Sequence, residues 1–150
     1  MAVDDVSTTV HEQGDQTTTH GQNSVHPPQS SLGVEENVGS ALAYALGIIS
    51  GLVVFFMESE NQTVRWHGAQ SIVVWGGIIG LSMVIGFVNL VLGIVVGGIL
   101  GGLLSLLGTL VFFGLMFGSF VLWLYLMYSA YQGKQTRLPV AAGIADSLAN

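Results

Sequence analysis

The sequence lacks cysteine and has very few charged residues. Only 8% of its 150 residues are Asp, Glu, Lys or Arg, against about 25% in a soluble domain. Without cysteine the chain has no disulfide, no cysteine nucleophile and no zinc–cysteine site. With three basic residues in all, it also lacks the basic surface of a nucleic-acid-binding protein, so we expect no nucleic-acid partner.

What the chain has is apolar residues and glycine. Hydrophobic residues make up 51% of the sequence, and 21 residues are glycine. From Trp66 to Gly133 there is no Asp, Glu, Lys or Arg. A run of that length exceeds a single membrane crossing of about 20 residues. The composition therefore predicts a multi-pass protein of the cell membrane, with the lipid bilayer as its surroundings.

Residues 1–37 form an acidic tail without Lys or Arg, rich in Thr, Ser, Gln and Gly. Such a segment buries too little apolar surface to offset the loss of chain entropy, so we predict that it is disordered. It also lacks the basic start and early apolar core of a signal peptide. Its composition resembles that of proteins from salt-loving archaea.

The apolar part predicts an all-α integral membrane protein with a bundle of four hydrophobic helices, three or four of which cross the bilayer. The first, 38–57, has the roughly 20 residues that span the hydrocarbon core. The others are placed near 69–89, 91–107 and 109–131, with breaks at Asn89 and Gly108–Thr109. An alternative for the uncharged run 66–133 has two crossings joined by a glycine-rich re-entrant piece at Gly93–Gly102. The domains are thus a tail (1–37), a transmembrane domain (38–133) and a C-terminal interfacial segment (134–150).

The interfacial segment is predicted to contain a short helix that begins at Pro139. Val140, Ile144 and Leu148 share one face of it, which suits the membrane surface. The three basic residues leave the topology open. Three crossings would place all of them in the cytoplasm, whereas four would place Arg65 outside, and the preference of Lys and Arg for the cytoplasmic side favours three.

Glycines recur at spacing four along the apolar helices. This spacing lets helix backbones approach closely in lipid, so it predicts helix packing, within one subunit or at the face of a homo-oligomer. The candidate packing residues are Gly47, Gly51, Gly76, Gly80, Gly93, Gly97, Gly101, Gly114 and Gly118.

Most ionisable groups near the membrane fall in one loop. Its candidate interaction residues are Glu58, Glu60, Asn61, Arg65, His67, Gln70 and Ser71. They form either a recognition patch at the membrane surface or an ordinary set of polar anchors at helix ends. The loop has no recurring metal-ligand spacing, and the sequence has no known catalytic motif. We therefore expect no cofactor, no metal site and no enzymatic activity.

Three segments together carry a family resemblance. They are Ala41-x-Ala43-Tyr44-x-x-Gly47-x-Ile49-Ser50-Gly51, then the loop with Val64-Arg65-x-His67-x-x-Gln70-Ser71, and then Leu122-Trp123-x-x-Leu126-Met127-x-x-Ala130-Tyr131-Gln132-Gly133 followed by Leu138-Pro139. In this order they resemble a family of small prokaryotic membrane proteins of unknown function. That family is grouped with the chloroplast inner-envelope import component of the Tic translocon and with the magnetosome protein MamF.

The resemblance covers residues 37–145 and implies a helical membrane protein with three or four spans. It also implies a role in protein translocation or in organising a specialised membrane. The leading hypothesis is a non-enzymatic protein that packs against itself or against an unknown membrane-protein partner. The alternative is an oligomeric channel or passive carrier, with Asn89, Ser105 and Thr109 along its path.

Overall fold

The computed structural model describes residues 29–149, and this part of the chain is helical. Its five helices are α1 (Glu36–Ala45), α2 (Ile48–Met57), α3 (Gln62–Val96), α4 (Gly98–Tyr131) and α5 (Pro139–Ala149). The expected all-α class is therefore confirmed. Of the tail predicted to be disordered, residues 1–28 lie outside the described range. Residues 29–37 are folded, since Gln29 pairs with Glu35 and α1 begins at Glu36.

α1 and α2 form a short helical hairpin instead of the predicted continuous helix 38–57, which is wrong. The chain turns back at Leu46–Gly47, where Gly47 has a φ of 64° that favours glycine. Both ends of the hairpin lie beside the start of α3. At one end, the Asn61 amide donates to the Glu36 carboxylate (2.7 Å), and at the other the Asn61 backbone N–H donates to Glu58 (2.8 Å).

α3 and α4 form a second, much longer hairpin. With 35 and 34 residues they are each about 50 Å long at 1.5 Å per residue. The turn between them consists of Gly97 and Gly98, both with positive φ (58° and 56°). Both helices are long and apolar enough to cross a membrane.

The predicted breaks at Asn89 and at Gly108–Thr109 are wrong, because both sites lie inside these helices. They face each other across the hairpin. A Cβ built on Gly108 would lie 2.4 Å from the Asn89 Oδ1 atom, so the missing side chain of Gly108 makes room for the amide. Two long helices therefore replace the three predicted at 69–89, 91–107 and 109–131. The alternative interpretation placed a re-entrant piece at Gly93–Gly102. Within that range the chain is helical except at the turn formed by Gly97 and Gly98.

The packed core lies at the end of the α3–α4 hairpin that contains the first turns of α3 and the last turns of α4, and we call this end the base. One cluster of buried residues joins α1 and α2 to α3 and α4: Ala43, Tyr44, Val54, Val64, Leu126 and Ala130. A second joins α5 to α3: Trp66, Ala69, Ala142, Ala145 and Ala149. Beyond the base, between residues 72 and 118, only Gly101 is buried. The long hairpin therefore presents nearly all of its apolar side chains outward.

α5 begins at Pro139, as predicted, and lies along α3. Its alanine face packs on Trp66 and Ala69. The predicted apolar stripe, Val140, Ile144 and Leu148, faces outward. Its placement on a membrane surface stays a prediction.

Candidate functional site

The turn between α1 and α2 is closed by side-chain hydrogen bonds. Ser50, one turn into α2, accepts a hydrogen bond from the Leu46 backbone N–H (2.9 Å). Its hydroxyl lies within donating distance of two carbonyls, those of Ala43 (3.1 Å) and Gly47 (3.2 Å). A helix end otherwise leaves such backbone groups without partners. Ser50 thus allows the chain to reverse within two residues.

Two residues from the long hairpin complete the turn. The Ser71 hydroxyl on α3 donates to the Gly47 carbonyl (3.1 Å), and the Trp123 indole N–H on α4 donates to the Tyr44 carbonyl (2.8 Å). The Gly47 N–H donates to the same Tyr44 carbonyl (3.0 Å). In hydrocarbon a backbone reversal is tolerated only where its polar groups are satisfied by protein. In this turn the Leu46 and Gly47 N–H groups and the Ala43, Tyr44 and Gly47 carbonyls are satisfied in this way.

Glycines bring α2 directly onto α3. A Cβ on Gly68 would lie 2.9 Å from the Phe55 backbone nitrogen and 3.1 Å from the Gly51 carbonyl oxygen. A Cβ on Gly51 would lie 2.9 Å from the Ser71 Cβ. Real Cβ atoms essentially never approach so closely, so neither position has space for a side chain. This is the close backbone approach for which small residues serve in membrane helices.

His67, Gln70 and Ser71 are buried in the base, away from the surface loop in which the sequence placed them. His67 Nδ1 is hydrogen-bonded to the Tyr44 hydroxyl of α1 (3.1 Å). The Gln70 amide donates to the Thr136 carbonyl (2.9 Å) and so ties α3 to the segment after α4. These three side chains connect helices at the base, because they face inward on the first turns of α3.

Glu58 holds the polar end of the base together. Its Oε1 atom accepts hydrogen bonds from the Ser31 N–H and hydroxyl (3.1 and 2.6 Å) and from the Glu60 and Asn61 N–H groups (3.0 and 2.8 Å). Burial raises the pKa of Glu58, but the Ser31 hydroxyl and the three backbone N–H groups outweigh it, so the net pKa lies below the usual value. The carboxylate fastens residues 29–35 to the α2–α3 loop.

The remaining loop residues have separate positions. Asn61 caps α3, accepting a hydrogen bond from the Val64 N–H (3.2 Å). Arg65 lies over the Phe55 ring, 5.1 Å from its centroid. Glu60 is exposed. The loop therefore divides into buried groups that hold the fold and two charged groups at its surface.

The predicted packing glycines fall into three groups according to what surrounds them. Gly51, Gly93 and Gly101 have close neighbours within the chain, whereas Gly47 and Gly97 form the two turns. Gly93 lies against Ser105, and Gly101 lies against the Gly93 carbonyl. The other four, Gly76, Gly80, Gly114 and Gly118, have no neighbour within 4 Å of a built Cβ. These four therefore have no packing partner within residues 29–149, and packing at the face of a homo-oligomer stays a prediction for them.

Sequence reasoning did not assign Tyr44, Ser50, Trp66 or Trp123 to the base. Trp66 donates its indole N–H to Asp146 of α5 (2.8 Å), and Asp146 also pairs with Arg137. Ser50 is marked by a local sequence pattern, in which a serine follows a glycine by three residues. The partners of Trp66 and Trp123 lie 80 and 79 residues away in sequence, and nothing local marks them. Within residues 29–149 no three His, Asp or Glu side chains gather to hold a metal ion.

Residues 35–145 match the MamF/MmsF family model, described as the magnetosome magnetite crystal formation protein family. The chain belongs to this family. The matched range includes all of α1 to α4 and most of α5. The resemblance to a prokaryotic family that includes MamF is thus confirmed, whereas the grouping with the Tic component stays a prediction.

The chain is also similar to membrane proteins from archaea. A UPF0132 membrane protein of Methanocaldococcus jannaschii is 36% identical over 118 residues, which are 79% of this chain and 92% of that protein. The UPF0132 membrane protein of Archaeoglobus fulgidus is 32% identical over 113 residues, 75% of this chain and 94% of that protein. No solved structure matches the chain.

Proposed function

We propose that this chain is a non-enzymatic integral membrane protein that organises the membrane around it by packing against lipid and partner proteins. In this proposal α3 and α4 cross the bilayer, whereas the α1–α2 hairpin enters from one side and returns to it. The observation that carries the proposal is that every charged residue of the described range belongs to the base. These residues are Glu35, Glu36, Glu58, Glu60, Arg65, Lys134, Arg137 and Asp146.

This arrangement differs from both topologies considered from the sequence. Two crossings put the N-terminal tail, the α2–α3 loop and α5 on one side and the Gly97–Gly98 turn on the other. Lys and Arg near helix ends favour the cytoplasm. Because Arg65, Lys134 and Arg137 share the base, the proposal places the base in the cytoplasm and the glycine turn outside.

A structural role for the base is supported by what its polar groups contact. Tyr44 and His67 bond to each other, Ser71 bonds to the turn, and Gln70 bonds to the backbone after α4. Each of these contacts joins two segments of the fold. The outward surfaces of α3 and α4 are apolar, which suits contact with lipid or with the helices of another membrane protein.

Single-cysteine labelling tests the insertion, since no native cysteine interferes. Cysteine replaces Ser7, Ser59, Ile99 or Ser147, and an impermeant maleimide is applied to each face of sealed vesicles. We expect positions 7, 59 and 147 to react from one face and position 99 from the other. The unmodified protein is the background control, and labelling after solubilisation gives the total. Position 7 opposite 147, or 59 opposite 147, would overturn the proposal in favour of three or four crossings.

An oligomeric channel is a second candidate, favoured by one groove. Beside the glycine turn, Asn89 and Ser105 line a groove of about 470 Å³ whose other walls include Gly93 and Gly101. Several copies facing this groove inward would line a path with these polar groups. Ion flux in proteoliposomes that is lost in Gly93→Leu but kept in Gly76→Leu would support the channel. Absence of flux from protein inserted as proposed would exclude it.

A further inference from the structure

The α1–α2 hairpin makes the molecule much wider at one end. Its tip lies beside Trp75, because a Cβ on Gly47 would be 3.2 Å from that ring. Trp75 lies 13 residues after Gln62, the first residue of α3, which is about 20 Å along the helix. Leu46, Ile48 and Ile49 at the tip also line a cavity that extends along α3 to Met83. From there α3 continues to Val96 for about another 20 Å.

A membrane section near the base therefore cuts four helices, and a section further along cuts two. At a diameter of about 10 Å, each helix occupies about 80 Å² of membrane area, so α1 and α2 together add about 160 Å² near the base. That area is hydrocarbon area rather than water-exposed surface. Leu46, Ile49 and Phe56 on the outer face of the hairpin are 71%, 63% and 77% exposed, as residues in contact with acyl chains would be.

α5 increases the difference. It lies at the same end of α3 as the hairpin and presents Val140, Ile144 and Leu148 outward. A helix with such an apolar face occupies area at the boundary between headgroups and acyl chains. Three of the five helices thus widen the leaflet that holds the base, and none widens the other leaflet.

We propose that the chain acts as a membrane wedge that prefers, and at high density induces, curvature with the base in the convex leaflet. The physical reason is that a convex leaflet has more area per lipid molecule to fill than its concave counterpart. An insert with excess area in one leaflet therefore has a lower free energy where that leaflet is convex. This inference rests on the two-crossing insertion of the proposed function.

Membrane tubes pulled outward from giant vesicles test the wedge with the full chain. The protein carries Ser147→Cys, a position on exposed α5, and is reconstituted from detergent so that both orientations occur. An impermeant dye on cysteine marks molecules whose base faces outward. A permeant dye, followed by an external quencher, marks those whose base faces inward. Protein density on the tube is divided by its density on the vesicle, with a lipid dye as the reference.

We expect a ratio above one for molecules with the base outward and below one for those with the base inward. Sorting by membrane thickness or by aggregation does not depend on orientation. A ratio above one for one orientation and below one for the other, in the same protein and lipid, therefore distinguishes a wedge from both. Ser59→Cys, on the loop of the base, serves as a control for dye position and should give the same two signs. A ratio of one for both orientations, or the same sign for both, would overturn the wedge.

The two proposals fail differently. If Ile99→Cys were labelled from the same face as Ser147→Cys, the two-crossing insertion would be wrong and the wedge with it. If the faces were opposite but the tube ratios did not depend on orientation, the insertion would stand and only the wedge would be wrong.

Discussion

The contact between α2 and α3 at Gly68 gives a sharp prediction with a matched control. Gly68→Ala places a methyl group 2.9 Å from the Phe55 backbone nitrogen and 3.1 Å from the Gly51 carbonyl oxygen. Both are backbone atoms, so no side-chain rotation can relieve the overlap, and α2 has to move away from α3. Gly76→Ala, eight residues further along the same helix, meets no atom within 4 Å.

Both substitutions have the same stabilising effect on the helix, and only one of them also has a destabilising effect. Replacing glycine by alanine inside a helix stabilises the helix by about 1 kcal/mol in both cases. Overpacking a closely packed site costs about 1–3 kcal/mol, and only Gly68→Ala has this cost. We therefore expect Gly68→Ala to be less stable than Gly76→Ala by about 1–3 kcal/mol.

The native tryptophans serve as fluorescence probes of unfolding in these variants. Trp75 lies against Gly47, and Trp123 bonds to the Tyr44 carbonyl, so their fluorescence reports whether the α1–α2 hairpin is docked. Unfolding of each variant in mild micelles is followed by fluorescence as a denaturing detergent is added, with helix content by circular dichroism alongside. Equal unfolding free energies for the two variants would refute the close backbone contact and the hairpin geometry derived from it.

Three further predictions concern the base. Trp123→Phe removes the indole donor from the Tyr44 carbonyl and should lower the unfolding free energy by about 1 kcal/mol in the same assay; an unchanged value would show that the turn needs no cap from α4. Because folding lowers the pKa of Glu58, its carboxylate stabilises the protein fully above the usual pKa of 4.5 and stops doing so as the pH falls through the lower folded pKa. Glu58→Gln should therefore be less stable at neutral pH and lose less stability on acidification, and parallel pH profiles would contradict this. Trp66→Phe removes the donor to Asp146 and should speed hydrogen exchange in α5 without affecting α4, whereas equal exchange would mean that alanine packing alone holds α5.

The class of the protein was readable from composition, but the position of each chain reversal was not. Residues 38–57 have the length and hydropathy of a full crossing, and hydropathy does not register that Gly47 adopts a positive φ. The reversal depends on Ser71 and Trp123, whose contacts exist only after α3 and α4 have packed. A window that reads twenty neighbouring residues contains neither of them.

The second reversal was misplaced for a related reason. Asn89 is the most polar residue of the long apolar run, and polarity suggested a break there. In the structure its amide lies against Gly108 of the facing helix, so α3 continues past it. The actual turn uses Gly97 and Gly98, which local sequence does not distinguish from the neighbouring glycines at 93, 101 and 102.

The sequence correctly identified the candidate loop as polar, but it did not indicate which of its side chains are buried. Glu58 and Asn61 are at the end of the molecule, as expected of groups that terminate helices. His67, Gln70 and Ser71 belong to the same stretch of sequence, yet the first turns of α3 direct them into the core against α1 and the segment after α4. The sequence grouped them with the polar loop, and which side of α3 is buried depends on the helices that pack against it.

The two-glycine turn also bears on how such a protein enters a membrane during its synthesis. If α3 and α4 cross as proposed, the part of the chain that has to be carried through the hydrocarbon is Gly97 and Gly98, with no charged side chain and no folded domain attached. The long hairpin can then be inserted as one unit, without translocating the acidic tail or α5. The hairpin of α1 and α2 never has to leave the side on which it is made. Biogenesis would thus require a route for lateral entry into lipid, rather than a channel for hydrophilic chain.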